Sequence, residues 1–207
     1  SDPTRGFKGA HRPVQNVSWN DAVEFCKKLT EIEKKAGLVP QDMAYQLPTE
    51  AQWEYACRAG TNTVYSWGNT IASSNANWNH GADPDQTVNV GQFSANPWGF
   101  FDMHGNVWEW TADWYAEDYY ATSPKVDPKG PATGTGRVQR GGSWSDDDGA
   151  VLRAGFRATR LRVDAADQKR RDETYAGMPL VGYPQRWTNL GRLLLQLAHM
   201  KKNDLVR

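Results

Sequence analysis

Ten tryptophans share a 207-residue chain with 19 glycines and 11 prolines, while aliphatic runs stay short. That balance constrains the fold more than any other feature. Each large ring buries much area on a single residue and carries a polar edge that needs a partner. Glycine and proline at short intervals break long helices and strands. The expected product is one loop-rich domain with packed rings in place of an aliphatic core.

The remaining composition mainly excludes. Lysine and arginine together number 24, as do aspartate and glutamate, so there is no basic footprint and a nucleic-acid partner is not expected. No apolar run approaches the roughly 18 residues of a membrane span. The sequence opens on Ser1-Asp2-Pro3-Thr4 without a leader pattern. The expected location is extracytoplasmic or at the cell surface if a leader has been trimmed, and cytoplasmic otherwise. Cys26 and Cys57 fall on apolar stripes, which favours two buried reduced thiols over a disulfide and leaves the redox compartment open.

Local signals place two helices. Ser18 with Asp21 approximates a capping box, and Ala22, Phe25, Cys26, Leu29 and Ile32 follow at helical spacing until Gly37 and Pro40. Thr49 with Gln52 opens a second helix, whose apolar face is Trp53, Ala56 and Cys57 and whose end is Gly60. From Gly60 to Trp144 the chain reads as turns and short strands, the clearest being Val107–Trp110 and Arg137–Arg140. Trp53, Trp108 and Trp110 are expected in the core. Arginines crowd the stretch after Trp144. Leu190, Leu193, Leu194 and Leu197 share one face of a C-terminal helix capped by Thr188 or Asn189.

Three runs, with the helix opening at Val17-Ser18-Trp19-Asn20-Asp21-Ala22, form a constellation. They are Leu47-Pro48-Thr49-Glu50-Ala51-Gln52-Trp53-Glu54-Tyr55-Ala56, then Gly99-Phe100-Phe101-Asp102-Met103-His104-Gly105-Asn106-Val107-Trp108-Glu109-Trp110, then Arg137-Val138-Gln139-Arg140-Gly141-Gly142-Ser143-Trp144. Their order and spacing resemble the formylglycine-generating-enzyme, or sulfatase-modifying-factor, domain over about residues 13–157. The resemblance implies an α+β fold, a variant of the C-type-lectin fold with little regular structure, two helices and short mixed sheets. The chain departs from that pattern before Pro13. Near its end, either Gly155-Phe156-Arg157 or the Gly177-Met178-Pro179 region fits the family's late strand.

The resemblance also implies chemistry to be checked. Formylglycine-generating members hold copper with a cysteine pair after the Arg-Gly-Gly-Ser run, and soft copper(I) needs thiolates. No cysteine follows Cys57 in this sequence, so neither copper nor that activity is expected, and no cofactor is required. His11, His80, His104 and His199 lack helical ligand spacing and read as surface or turn residues. Ser143 lacks the frame of a nucleophile elbow. Family members often carry structural calcium, and by that resemblance Asn77, Asp83, Asp85, Asn106 and Glu109 are the candidate ligands. Asp146-Asp147-Asp148 reads as solvated loop ahead of a calcium site.

The same resemblance extends to variable proteins of diversity-generating retroelements, whose diversified positions follow the Arg-Gly-Gly-Ser-Trp run. It implies a non-catalytic ligand-binding protein with Trp144, Ser145, Asp146, Asp147, Asp148, Phe156 and Arg160 at the binding face. The implied partner is a protein or other macromolecule. Two other readings stand beside it: a copper-independent enzyme or enzyme subunit on this fold, and an accessory or sensor domain.

Overall fold

The computed structural model describes residues 11–80 and 86–161. The arginines and leucines expected beyond that range, and Asp83, Asp85 and His199, lie outside the described residues. Helix α1 spans Trp19–Lys35 and α2 spans Glu50–Arg58. Strand β1 is Glu109–Trp114, α3 is one turn at Tyr119–Thr122, β2 is Gly136–Arg140 and β3 is Ala158–Leu161. A 3-10 turn, Gly149–Leu152, lies between β2 and β3.

Both expected capping boxes form. The Ser18 backbone N–H donates to Asp21 Oδ2 at 2.7 Å, and Ser18 Oγ accepts from the Asp21 N–H at 3.1 Å. In α2, Gln52 N–H donates to Thr49 Oγ1 at 3.2 Å while Thr49 N–H donates to Gln52 Oε1 at 2.9 Å. These bonds satisfy amides that a helix start leaves orphaned. α1 buries Ala22, Cys26 and Thr30, but its last turn runs past the core. Ile32, expected on the buried stripe, is exposed as a result.

The three strands pair antiparallel in the order β1-β2-β3. Glu109 faces Arg140, and the β1–β2 register slips between Trp110 and Trp114, as a bulge allows. Arg137 joins helix to sheet, its guanidinium stacked 3.8 Å from the Trp19 ring and 3.5 Å from that of Trp114.

Among the described residues the interior consists of three small clusters rather than one aliphatic core. Ala22, Cys26, Tyr45 and Leu47 form the first, with Trp19, Phe25 and Trp110 packed on it. Trp53, Ala56, Cys57, Phe100, Met103 and Ala154 form the second. Tyr65, Ala76 and Leu152 form the third, covered by Ile71, Trp78 and Val151. Trp53 is fully buried as expected, and Cys26 and Cys57 are free, buried thiols. Trp108 and Trp110 correct the expectation, since each is only half-buried. Trp110, on β1, packs at the edge of the first cluster and donates from Nε1 to Val17 O at 3.1 Å, while Trp108, just before β1, has its ring near Phe156. Large indoles are rarely covered on every side.

Candidate functional site

Strand β2 ends in two glycines, Gly141 and Gly142, both with left-handed backbone. A Cβ on Gly142 would stand 2.9 Å from the Leu152 side chain, so the chain can double back here only without one. Ser143 then closes a turn. Its N–H and hydroxyl both donate to Asp146 Oδ2, at 2.6 and 2.9 Å. The segment that follows, residues 143–157, returns to the sheet as β3.

This segment is fastened by its peptide groups. Asn79 N–H donates to Asp146 O at 3.1 Å, and Trp144 N–H donates to Asn106 O at 3.0 Å. Tyr65 Oη–H donates to Gly149 O at 2.8 Å. His104 Nδ1 is 2.6 Å from Leu152 O, and Ala154 N–H donates to Val64 O at 2.9 Å. Arg140 Nη2 donates to Ala154 O at 2.7 Å, and Nη1 donates to Phe156 O.

Two of these fasteners are buried polar side chains that the sequence did not single out. His104, expected as a surface or turn residue, lies in a bend and is buried. Ser66 N–H donates to its Nε2 at 3.2 Å, so Nδ1 carries the hydrogen and donates to Leu152 O. Burial, with a smaller effect from Arg58, lowers its pKa to about 4 against the Leu152 bond, so the ring is neutral. Arg140 is fully buried. It pairs with Glu54 and lies 3.7 Å from Glu50. Arg157 grips Glu50 through two bonds of 2.7 and 2.9 Å. Asp113 Oδ2 accepts from the Glu50 N–H at 2.7 Å, and burial raises its carboxyl to about 6.

The side chains of the segment do different work. Ser145, Asp147 and Asp148 are exposed, while Trp144 and Asp146 are half-buried. Asp146 holds the Ser143 turn, Asp147 accepts from Asn79 Nδ2, and Asp148 caps the 3-10 turn through the Ala150 N–H at 2.8 Å. Short acids commonly bond backbone two or three residues on. Phe156 is half-buried 6.2 Å from Trp108, and the exposed Arg153 stands 5.1 Å above its ring. Arg160 is exposed on β3, opposite Arg137. The candidate residues are therefore not all brought together: the aspartates form a turn beside Asn79, Phe156 joins a ring-and-guanidinium cluster, Trp144 reaches Gln15 through its Nε1 at 3.4 Å, and Arg160 stands on β3. Trp108 and Arg153 complete that cluster, and no local pattern around either residue marks it.

The implied calcium ligands are largely engaged by backbone. Asn77 Nδ2 donates to Gln86 O at 2.8 Å, and the Asn77 carbonyl accepts from Asn106 N–H at 2.8 Å. Asn106 clamps Val88 from both sides, accepting from its N–H at 3.0 Å and donating to its carbonyl at 3.3 Å. Glu109 accepts from Trp53 Nε1 at 2.6 Å. Burial raises its carboxyl to about 7 against that bond, with Asp102 adding to the rise. Among the described residues no three His, Cys, Asp or Glu side chains gather as a metal site. The cysteines do not fit copper(I) either. They lie in separate clusters, and burial raises both thiols well above the ordinary range.

Comparison with known proteins agrees with this architecture. The sulfatase-modifying factor enzyme 1-like domain matches residues 3–174. The chain is 39% identical over 150 residues to the formylglycine-generating enzyme of Thermomonospora curvata, covering 65% of this chain and 45% of that protein. It is 45% identical over 138 residues to the serine/threonine-protein kinase pkn1 of Chlamydia caviae, covering 65% of this chain and 19% of that one. It thus spans less than half the length of these curated relatives. Treponema denticola variable protein 1 superposes with a TM-score of 0.66 at 31% identity, over 81% of this chain and 72% of that one. With the helices, the small sheet and the ordered loops where the motifs require them, the chain belongs to the sulfatase-modifying-factor family and has its C-type-lectin-like fold.

Proposed function

We propose that this chain is a non-catalytic ligand-binding module that presents Trp144, Ser145, Asp146, Asp147, Asp148, Phe156 and Arg160 to a protein or other macromolecular partner. One observation carries the reading. The backbone of the segment is held from outside by Val64, Tyr65, Asn79, His104, Asn106 and Arg140, while Ser145, Asp147, Asp148 and Arg153 are exposed and Trp144 and Phe156 half-buried. Such positions accept substitution at little cost to stability. A surface of this kind suits diversification, and the likeness to Treponema denticola variable protein 1 supports a retroelement-diversified identity. Phe156, Trp108 and Arg153 supply the ring and guanidinium chemistry that commonly anchors interfaces. Binding on this reading needs no metal, and calcium, if held, is structural.

The test is simultaneous substitution at Ser145, Asp147, Arg153 and Phe156 in a displayed library selected against an immobilised folded protein such as streptavidin. Selected variants are expected to bind and to melt within about 1 kcal/mol of the parent. General unfolding across the library would show these side chains to be structural.

The enzyme reading has support in the formylglycine-generating relatives. It is tested by incubating the chain with copper(I) and a sulfatase-type cysteine peptide. We expect no stoichiometric copper binding and no aldehyde by mass spectrometry. Aldehyde formation would replace the display reading with catalysis.

A further inference from the structure

The ring-and-guanidinium cluster at Phe156 carries a cation that the domain itself does not use. Three other arginines adjoin it. Arg140 bonds Phe156 O, Arg157 follows Phe156 in the chain, and Arg58 lies beside Gly155. All three are engaged. Arg58 and Arg140 share the Glu54 carboxylate, and Arg157 holds that of Glu50. Arg153 differs. It is exposed, and its side chain forms no ion pair or hydrogen bond with any described residue. Asp148 is a further acid on this side, since it and Arg153 act in opposite directions on the Tyr65 hydroxyl. Its Oδ1 takes the Ala150 N–H at 2.8 Å, and it does not pair with Arg153.

The unused guanidinium is placed for a planar anion. Its carbon stands 5.1 Å over the Phe156 ring, and that ring lies 6.2 Å from Trp108. A guanidinium resting on a ring keeps the N–H donors along its edge, and these match a carboxylate through two parallel bonds. The backbone that carries it is fixed. Phe156 N–H donates to Arg153 O at 3.0 Å, Arg153 N–H donates to Ala150 O at 3.4 Å, and Phe156 O accepts from Arg140. Gly155, between the two, is exposed and has no side chain to cover the guanidinium. Trp108 and Phe156 are half-buried, so each keeps some apolar surface in solvent beside the charge.

We propose that Arg153, Phe156 and Trp108 form a subsite for an acidic side chain of a partner protein with an apolar residue next to it. The inference rests on the display reading and names the chemistry of its partner.

The test titrates the full chain with acetyl-Phe-Glu-amide. Acetyl-Phe-Gln-amide is the neutral isostere, and acetyl-Gly-Glu-amide lacks the ring. NMR follows the Arg153 Nε–H and the Trp108 indole N–H, identified by their loss in the Arg153→Lys and Trp108→Phe proteins. The Phe-Glu peptide is expected to shift both resonances saturably, with each control weaker by about threefold or more. Arg153→Gln removes the charge from an exposed position. It should weaken the Phe-Glu peptide by about threefold with melting unchanged. The absence of a saturable shift, equal binding of either control, or an Arg153→Gln protein that binds as the parent does would each overturn the proposal. The library selection keeps this failure apart from that of the display reading. Folded binders from the library, with no response of the parent to the Phe-Glu peptide, would remove the acid subsite alone. An unfolded library, with the peptide bound by the parent, would remove the display reading and leave the subsite.

Discussion

Helix α2 and the segment 143–157 both lie against the interior, yet they are held by opposite means. α2 is held by what its side chains are. Trp53 fills a cluster, Glu50 receives Arg157, and Glu54 meets Arg140. The 143–157 segment is held largely by what every residue except proline has, a backbone amide and carbonyl, with the partners supplied by other parts of the chain, and only a few of its side chains, Asp146, Leu152, Ala154 and Arg157, add to that hold. Identity is therefore constrained throughout the first region, whereas in the second it is constrained at Asp146, Leu152, Ala154 and Arg157 and peptide geometry holds the positions between them. A loop can be rigid while its exposed positions remain unspecified.

The sharpest way to break this contrast is to remove a buried side chain that serves both regions. Arg140→Met takes a fully buried cation from Glu54 and the neighbouring Glu50, and also releases Ala154 O and Phe156 O. Removing one partner of a buried pair typically costs about 3–5 kcal/mol. Chemical denaturation of the variant should show a loss of that size. A loss under about 1 kcal/mol would mean that the network contributes little and the loop has other support.

A second variant separates the regions. His104→Leu leaves Leu152 O and Ser66 N–H without their partner, at an expected cost of about 2–3 kcal/mol. Hydrogen exchange should accelerate at amides 149–154 and remain unchanged in α1. Uniform acceleration would show that His104 supports the whole domain rather than the loop.

The smallest effect concerns pH. Burial raises Glu109 from 4.5 to about 7 and Asp113 from 3.8 to about 6. The folded chain holds these protons more tightly than the unfolded chain, so their contribution is full below the ordinary carboxylate values and is lost as pH rises through 6 to 7. His104 acts in the other direction. Its pKa falls from 6.5 to about 4, so the unfolded chain takes the proton first and stability is lost as pH falls through that window. Glu109→Gln removes part of the first effect. The difference in melting temperature between pH 7 and pH 5 should become more positive than in the parent, by an amount equivalent to about 1 kcal/mol. Parallel profiles would show that Glu109 titrates as an ordinary carboxyl.

What the sequence made legible follows the reach of each interaction. The capping boxes at Ser18 and Thr49 close over three residues, so their signatures are local and both helices form where expected. The family runs located the sheet and the turn after Arg140. The fasteners were not legible. Tyr65 reaches Gly149 across 84 residues and His104 reaches Leu152 across 48, and a carbonyl acceptor leaves no mark on residue type. The depth of Trp108 and Trp110 was misjudged for a related reason: alternation fixes which face a ring takes, not whether that face ends in a core or at its rim. The aspartate run was expected to be solvated loop, and Asp147 and Asp148 are exposed. Its turn and cap bonds became visible only once the backbone directions were known.

The spacing of the fastened carbonyls carries a further consequence. Acceptors at 146, 149, 152, 154 and 156 meet donors fixed elsewhere in the domain. An exchange of side chain leaves that spacing untouched. The loss or gain of one residue shifts each later carbonyl past its donor and sets Ala158 out of register with Gln139. Point changes can therefore accumulate at the exposed positions Ser145, Asp147, Asp148 and Arg153, while Gly149, Leu152 and Ala154 stay fixed by packing and insertions and deletions are purged. Within this interval, descent should conserve length even where it conserves none of the exposed side chains.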